Sequence, residues 1–405
     1  MVALLVAFPY GMLADRIGRK PTIIFSYLGV CVSFFFAPTM LRLFNHAIRR
    51  NPYVLMCGYV LQVFGGGVPV LLATLYAVAT DVSTEQNKAA SFLYLTFGAT
   101  AGGLIGPIVA GLLMKKFGPW VPIYCVMAVT PLLFILMFFI PETLKIDTKQ
   151  RADEGDESSL EAFKKHMAKG IHDLRQSLAV LKNKNVPLIL ITFVFQSVRV
   201  AAYTGTLTQY VSKHFQWRLE DVTLLLAPFG FLNLILLSVL PKISDVLLSP
   251  RFKFSVFQKD LLLTRLSIAF IVIGAVIDGF SRSVVLFLFG IFISTLGAAD
   301  SPLARATLSH HVDAQFTSRL QALIGMSEVL GSFIGGPVLA LLFHIGLRKK
   351  GIWKGLPWFY VALLLTISGV ALAFVSEPKK TSSPDTDDAD DLDDYPREDE
   401  EQLRA

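Results

Sequence analysis

Ten stretches of about twenty mostly apolar residues, each bounded by charge, proline or glycine, leave this 405-residue chain little freedom in what it can fold into. A hydrocarbon core about 30 Å thick is crossed by about 20 helical residues. Inside that core every backbone N–H and C=O must find a partner within its own segment, so a spanning run of this kind is a helix. The runs fall near 22–43, 53–79, 90–113, 120–140, 187–211, 220–240, 260–280, 283–304, 319–346 and 356–376. The expected fold class is therefore all-α, a polytopic, multi-pass membrane protein. Composition agrees, with 53% hydrophobic and only 17% charged residues, against about 25% charged in a water-facing domain. Residues 1–13 offer about thirteen apolar positions, roughly 20 Å of helix, which cannot cross a bilayer alone.

Charge sits between the runs. Eleven of the 31 acidic residues lie in the last 25 positions, where Arg397 and Arg404 are the only bases, so a net charge of +6 conceals a basic body and an acidic tail. That tail, from Thr381 onward, has too few apolar residues to fold and reads as a disordered, solubilising cytoplasmic segment. The bases occupy short loops and form no stripe or aromatic platform, which argues against nucleic acid as a partner and for topology determinants. Placing the Arg16/Arg19/Lys20 loop, residues 144–186, the Lys242–Lys259 loop and the tail inside collects most of them. Arg42, Arg49, Arg50, Arg348, Lys349, Lys350 and Lys354 then face outside. Residues 144–186 interrupt the hydropathy. There Leu160, Phe163, Met167, Ile171, Leu174 and Leu178 recur at helical spacing, as in an amphipathic helix on the membrane surface, while a solvated charged linker is the competing reading. The expected organisation is 1–143 and 187–376 as two helical parts, 144–186 as a central cytoplasmic loop, and 377–405 as the tail.

Gly11-Met-Leu-Ala-Asp15-Arg16-Ile-Gly18-Arg19-Lys20-Pro21 packs two glycines, an acid and three bases into a tight loop between two spans. The glycines permit a sharp turn and close helix contact, and a carboxylate there suits a helix N-terminus. Such a loop can act as a charged latch at a membrane face. Gly102, Gly106, Pro107 and Gly111 place small residues and a proline along one span, a pattern suited to close packing and a kink. Gly331, Gly335, Gly336 and Pro337 echo it later in the chain, as two related halves would.

These stretches resemble the major facilitator superfamily, in particular its fungal-type small-molecule and drug transporters. The Gly11–Pro21 stretch is similar to that family's motif A, the loop between its second and third helices, and the resemblance implies a gating role for Gly11, Asp15, Arg16, Gly18, Arg19 and Lys20. Asp81, with Glu85 and Lys88, resembles the acidic and basic partners of that latch. Gly102 to Gly111 looks like the antiporter-associated motif C, with Ala110 where glycine is usual. Gln62 stands where the family often carries an intramembrane arginine, and an amide there cannot supply a charge. Pro141-Glu142-Thr143 resembles the family's usual end of its sixth helix. The fold implied is two six-helix halves, here lacking helix 1 and part of helix 2, as an N-terminally truncated product or incomplete gene model would.

Ionisable groups inside apolar spans are costly, so each is a functional candidate. Arg199 lies mid-span with Gln196 and Tyr203 on roughly one face, and is expected either to bind an anionic substrate group or to pair with a carboxylate. Gln62 and Asn233 join the expected substrate-binding set. Glu328 and Asp300 are taken as the only acids well inside the late spans and as the proton-coupling candidates, Glu328 the better of the two. No catalytic constellation, metal-ligand spacing or phosphate loop is present; Gly65-Gly66-Gly67 lies within a span and lacks a following Lys-Ser/Thr. Cys31, Cys57 and Cys125 are odd in number and sit in apolar runs, which disfavours a disulfide framework. No cofactor is expected.

The expected function is secondary active transport of a small organic solute, a proton-coupled efflux of drugs or metabolites by rocker-switch alternating access. The competing reading is a non-transporting membrane sensor of the same fold, or an inert truncated product. The expected partners are the lipid bilayer, a small-molecule substrate and protons, with the protein acting as a monomer. The plasma membrane is the default location, with a vacuolar or other organelle membrane as the alternative.

Overall fold

Apolar runs of this length become helices because only a helix satisfies its own backbone in hydrocarbon, and helices dominate the fold. The computed structural model describes residues 10, 13–14, 17–44, 48, 51–84, 86–118, 120–144, 184–216, 219–249, 254–312, 317–349 and 351–377, and among them no strand occurs. Before the charged central segment run α1 (Arg19–Leu43), α2 (Gly67–Val82), α3 (Lys88–Phe117) and α4 (Trp120–Phe138). After it come α5 (Asn185–Ala201), a wide π-turn at Ala202–Thr206, and α6 (Leu207–Phe215). Then follow α7 (Leu219–Leu247), α8 (Val256–Phe280), α9 (Val284–Leu296), α10 (Asp300–Ser309), α11 (Thr317–Arg348) and α12 (Leu356–Ala373). Local sequence sets several boundaries. Ser255 and Gln258 form a capping box at the start of α8, the Ser283 hydroxyl caps α9, and Pro357 opens α12 where no N–H is needed.

Among the described residues nine helical stretches are long and apolar enough to cross a membrane. The tenth expected span, 53–79, is not one helix. Short turns at Pro52–Met56, Cys57–Val60 and Leu61–Gly65 lead into the 16-residue α2. The cause is the Gly65-Gly66-Gly67 run: Gly66 and Gly67 take φ of +74° and +67°, conformations that side chains disfavour. A Cβ on Gly65 would lie 2.5 Å from the Phe25 carbonyl oxygen, so the backbones of this turn and α1 meet directly. The run 283–304 is likewise divided, into α9 and α10, at Gly297–Ala299. The amphipathic pattern within 160–178 and the acidic tail beyond Glu377 lie outside the described residues.

The start of α1, the end of α2 and the end of α4 meet at one face, where Arg19 reaches both Asp81 and Glu142. Asn185 at the start of α5 meets His311 beyond α10. Two apolar clusters hold the bundle. One joins α5, α8, α9, α11 and α12 around Phe193, Phe287 and Trp358. The other sets Ala79, Phe92 and Leu93 of α2 and α3 against Leu237, Leu240, Leu303 and Ala306 of α7 and α10, so it ties the helices before residue 145 to those after 183. Outward faces are apolar: α4 buries no residue and exposes Leu132, Leu133, Ile135 and Leu136, as a helix solvated by lipid would. Residues 1–375 form one compact unit. Ser376–Ala405 form another, of which Ser376 and Glu377 are described.

Candidate functional site

The loop that opens α1 folds around a carboxylate that the sequence reading had placed only at a helix end. Gly18 takes φ +112° and ψ 163°, a conformation essentially confined to glycine. This turns the backbone N–H groups of Arg19 and Lys20 onto Glu142, at 2.8 and 3.1 Å. A Cβ on Gly18 would stand 2.3 Å from Glu142 Oε2, so the glycine is required by the carboxylate it faces. The anion at the α1 N-terminus also meets the positive end of the helix dipole. Arg19 is buried, and its Nε donates to Asp81 Oδ2 at 2.8 Å. Thr143 Oγ1 donates to the same Asp81 oxygen at 3.2 Å, while Lys20 Nζ donates to the Phe138 carbonyl at 2.6 Å. Gly18, Arg19, Lys20 and Asp81 are thus brought together, with Glu142 added. Lys88 is buried at the start of α3. Gly11, Asp15, Arg16 and Glu85 lie outside the described residues.

A second set of charges is buried deeper. Arg199 donates to Asp300 Oδ1 at 2.8 Å, and Asp300, in the first turn of α10, has no exposed side-chain surface. Arg199 thus pairs with a carboxylate in this structure. Gln196, one turn earlier on the same face, is buried, and neither its Oε1 nor the buried Asn233 Oδ1 on α7 has a partner among the described residues. Tyr203 departs from the expected grouping: its hydroxyl is 3.2 Å from Asp278 Oδ2 and 2.8 Å from Ser294 Oγ, and its ring packs edge-on to Trp358. Gln62 Nε2 donates to Ser33 Oγ at 3.3 Å and ties the Leu61–Gly65 turn to α1.

Glu328 accepts from Arg305 at 2.5 Å and keeps 33% of its side chain exposed, against none for Asp300. Arg305 and Asp278 are among the groups that the sequence does not single out, as are Lys259 and Asp260, a fully buried pair in α8. Arg305 falls one position past the run drawn at 283–304, which disguised it as a loop residue. Asp278, near the end of α8, is fully buried, so Glu328 and Asp300 are not the only acids inside the late helices. The signal was present in each case, an ionisable residue at helical register with an apolar run. Among the described residues no group of three His, Cys, Asp or Glu is placed to hold a metal ion.

The glycine stripes differ from expectation. A Cβ on Gly331 would fall 1.9 Å from the Val194 carbonyl oxygen, and one on Gly335 2.2 Å from Val198, so α11 packs hard against α5. At Gly102, Gly106 and Gly111 no neighbouring atom lies within 4 Å of such a Cβ among the described residues, and Pro107 is exposed. The earlier stripe therefore makes no close helix contact here. A close contact along this part of α3 runs the other way, with Leu104 seated on Gly230 of α7.

Residues 1–277 match the family profile described as Major Facilitator Superfamily. The MFS-type transporter aprT of Aspergillus flavus is 28% identical over 384 residues, 93% of this chain and 73% of that protein. The MFS efflux pump atnC of Emericella nidulans is 28% identical over 398 residues, 94% of this chain and 74% of that one. Among solved structures, the fucose:proton symporter FucP of E. coli superposes with a TM-score of 0.66 at 14% identity, covering 92% of this chain and 87% of its own. At that identity the likeness concerns the fold.

Proposed function

This chain belongs to the major facilitator superfamily, and from that premise we propose that it is a secondary active exporter of a small organic solute, driven by protons. It is an integral, multi-pass membrane protein and a transporter by family, with the plasma membrane as the proposed location and a single chain as the working unit. The observations that support the proton reading are two ion pairs between helices, Arg199–Asp300, whose carboxylate is fully buried, and Arg305–Glu328, whose carboxylate is half-buried. An isolated buried ion is costly, and a salt bridge between helices can be exchanged for a proton or a charged ligand without leaving a bare charge behind. Asp300 would take up a proton when Arg199 turns to solute, and Glu328, the more exposed acid, would exchange protons with water. Export is favoured because several relatives, atnC among them, carry efflux in their names.

The mechanism proposed is a rocker switch between 1–143 and 187–376. Gln196, Arg199 and Asn233 would offer polar atoms to the solute, with Gln62 contributing from the first half. The Arg19–Asp81–Glu142 latch would hold the first half rigid while it rocks.

The test is accumulation in proteoliposomes under an imposed pH gradient, screened over a panel of amphipathic organic solutes. Gradient-driven accumulation that Asp300→Asn abolishes, with solute exchange at zero gradient retained, supports the reading. Accumulation indifferent to the pH gradient removes proton coupling, and no solute moved by any member of the panel removes transport.

A further inference from the structure

Arg305, already paired with Glu328, also reaches a ring on the other group of helices, a contact that neither the latch nor the proton sites use. It is 5% exposed on α10. Its two terminal nitrogens are held by α11: one donates to Gln321 Oε1 at 2.8 Å, the other to Glu328 Oε1 at 2.5 Å. The guanidinium carbon lies over the ring of Tyr76 on α2, 4.3 Å from its centroid, and 5.3 Å from that of Phe193 on α5. Tyr76 is fixed in turn by α3, through a 3.1 Å hydrogen bond to Thr96 and an edge-on contact with Phe92. Each partner is thus anchored to its own side, Arg305 to α11 and Tyr76 to α3. Among the described residues this is the one cation stacked on a ring across the division at 145–183. Tyr76 packs against the apolar cluster that includes Ala79, Phe92, Leu303 and Ala306, and a ring kept from water in this way attracts a cation more strongly.

We propose that Arg305 is a positioning residue that holds this end of the transporter shut by stacking on Tyr76, a strut that exists in one conformation and is lost when the halves rock apart. Arg305 stays on α11 with Gln321 and Glu328, and Tyr76 leaves with α2 and α3. This rests on the alternating-access reading above, and it adds a gate that the motif A loop does not contain.

The experiment measures opening without measuring transport. In full-length protein in nanodiscs, with Cys31→Ser, Cys57→Ser and Cys125→Ser, a reporter is placed by Ala79→Cys inside the apolar seal, and its reaction rate with a water-soluble maleimide is followed. Loss of a desolvated cation–ring contact is expected to shift the open population by about tenfold. Tyr76→Leu, Tyr76→Met and Arg305→Gln should each raise the labelling rate by about that factor. Tyr76→Phe, which keeps the ring and loses only the hydroxyl, should label like the parent. The double variant Tyr76→Leu/Arg305→Gln should label no faster than the faster single one, because both remove one contact. Parental rates in both Tyr76→Leu and Tyr76→Met overturn the proposal, as does a Tyr76→Phe rate equal to that of Tyr76→Leu, or single effects that multiply in the double variant. The two readings fail separately: labelling as expected without solute flux leaves the strut standing and removes transport, whereas proton-driven flux with unaltered labelling removes the strut alone.

Discussion

Gly18→Ala is the most searching single perturbation of the latch. At φ +112° and ψ 163° an alanine is strained by about 1–3 kcal/mol before any contact is considered. Its Cβ would also stand 2.3 Å from Glu142 Oε2, so the carboxylate must leave. With it go the bonds from the Arg19 and Lys20 amides at 2.8 and 3.1 Å, charged-acceptor bonds worth about 1.5–3 kcal/mol each when intact. Water can replace part of that loss at an exposed loop, and the terms share one residue, so a total of about 3 kcal/mol is expected rather than the full sum. The assay is reversible unfolding in mixed micelles by denaturing detergent, comparing Gly18→Ala, Glu142→Ala and the double variant. Because Glu142→Ala removes the clash, the double variant should cost less than the two singles together by at least about 1 kcal/mol. Additive losses, or a Gly18→Ala protein within about 0.5 kcal/mol of wild type, would refute the reasoning.

Other consequences follow from the same geometry. Arg199→Gln or Asp300→Asn alone strands a buried partner and should destabilise by about 3–5 kcal/mol if the remaining group stays charged, while the double variant should recover much of that loss in the same unfolding assay. Gly331→Val must push α11 away from the Val194 carbonyl and should lower the melting temperature in nanodiscs by several degrees; Gly102→Ala, which meets no described neighbour, should leave it unchanged. Gly66→Ala, at φ +74°, should cost about 1–2 kcal/mol and loosen the turn against α1, seen as faster amide exchange at 61–67.

Hydropathy alone marked out the helices because the bilayer imposes a length and forbids an unsatisfied backbone. It missed the break at Gly65–Gly67 for the same reason: an apolar run reads alike whether straight or folded back against α1. Single ionisable residues were legible as outliers, so Arg199, Asp300 and Glu328 stood out, but pairing was not. The partner of Glu328 is Arg305, 23 positions away, and it lay just outside the run as drawn. Glu142 was hardest to foresee, because its role rests on a backbone conformation at Gly18 and an approach between Arg19 and Glu142 across 123 positions. Gly102, Gly106 and Gly111 show the converse, small residues at packing spacing that no described neighbour approaches.

Alternating access is the claim on which the rest depends, and paired distances at the two ends test it most directly. Spin labels introduced by Ser83→Cys and Leu248→Cys report the end sealed by Ala79, Phe92, Leu237 and Ala306, and a second pair, Phe117→Cys and Phe280→Cys, reports the opposite end. The account requires reciprocal populations across a pH titration in nanodiscs, the first distance lengthening as the second shortens. Distances that change independently, or a single distribution at both ends under every condition, would contradict it.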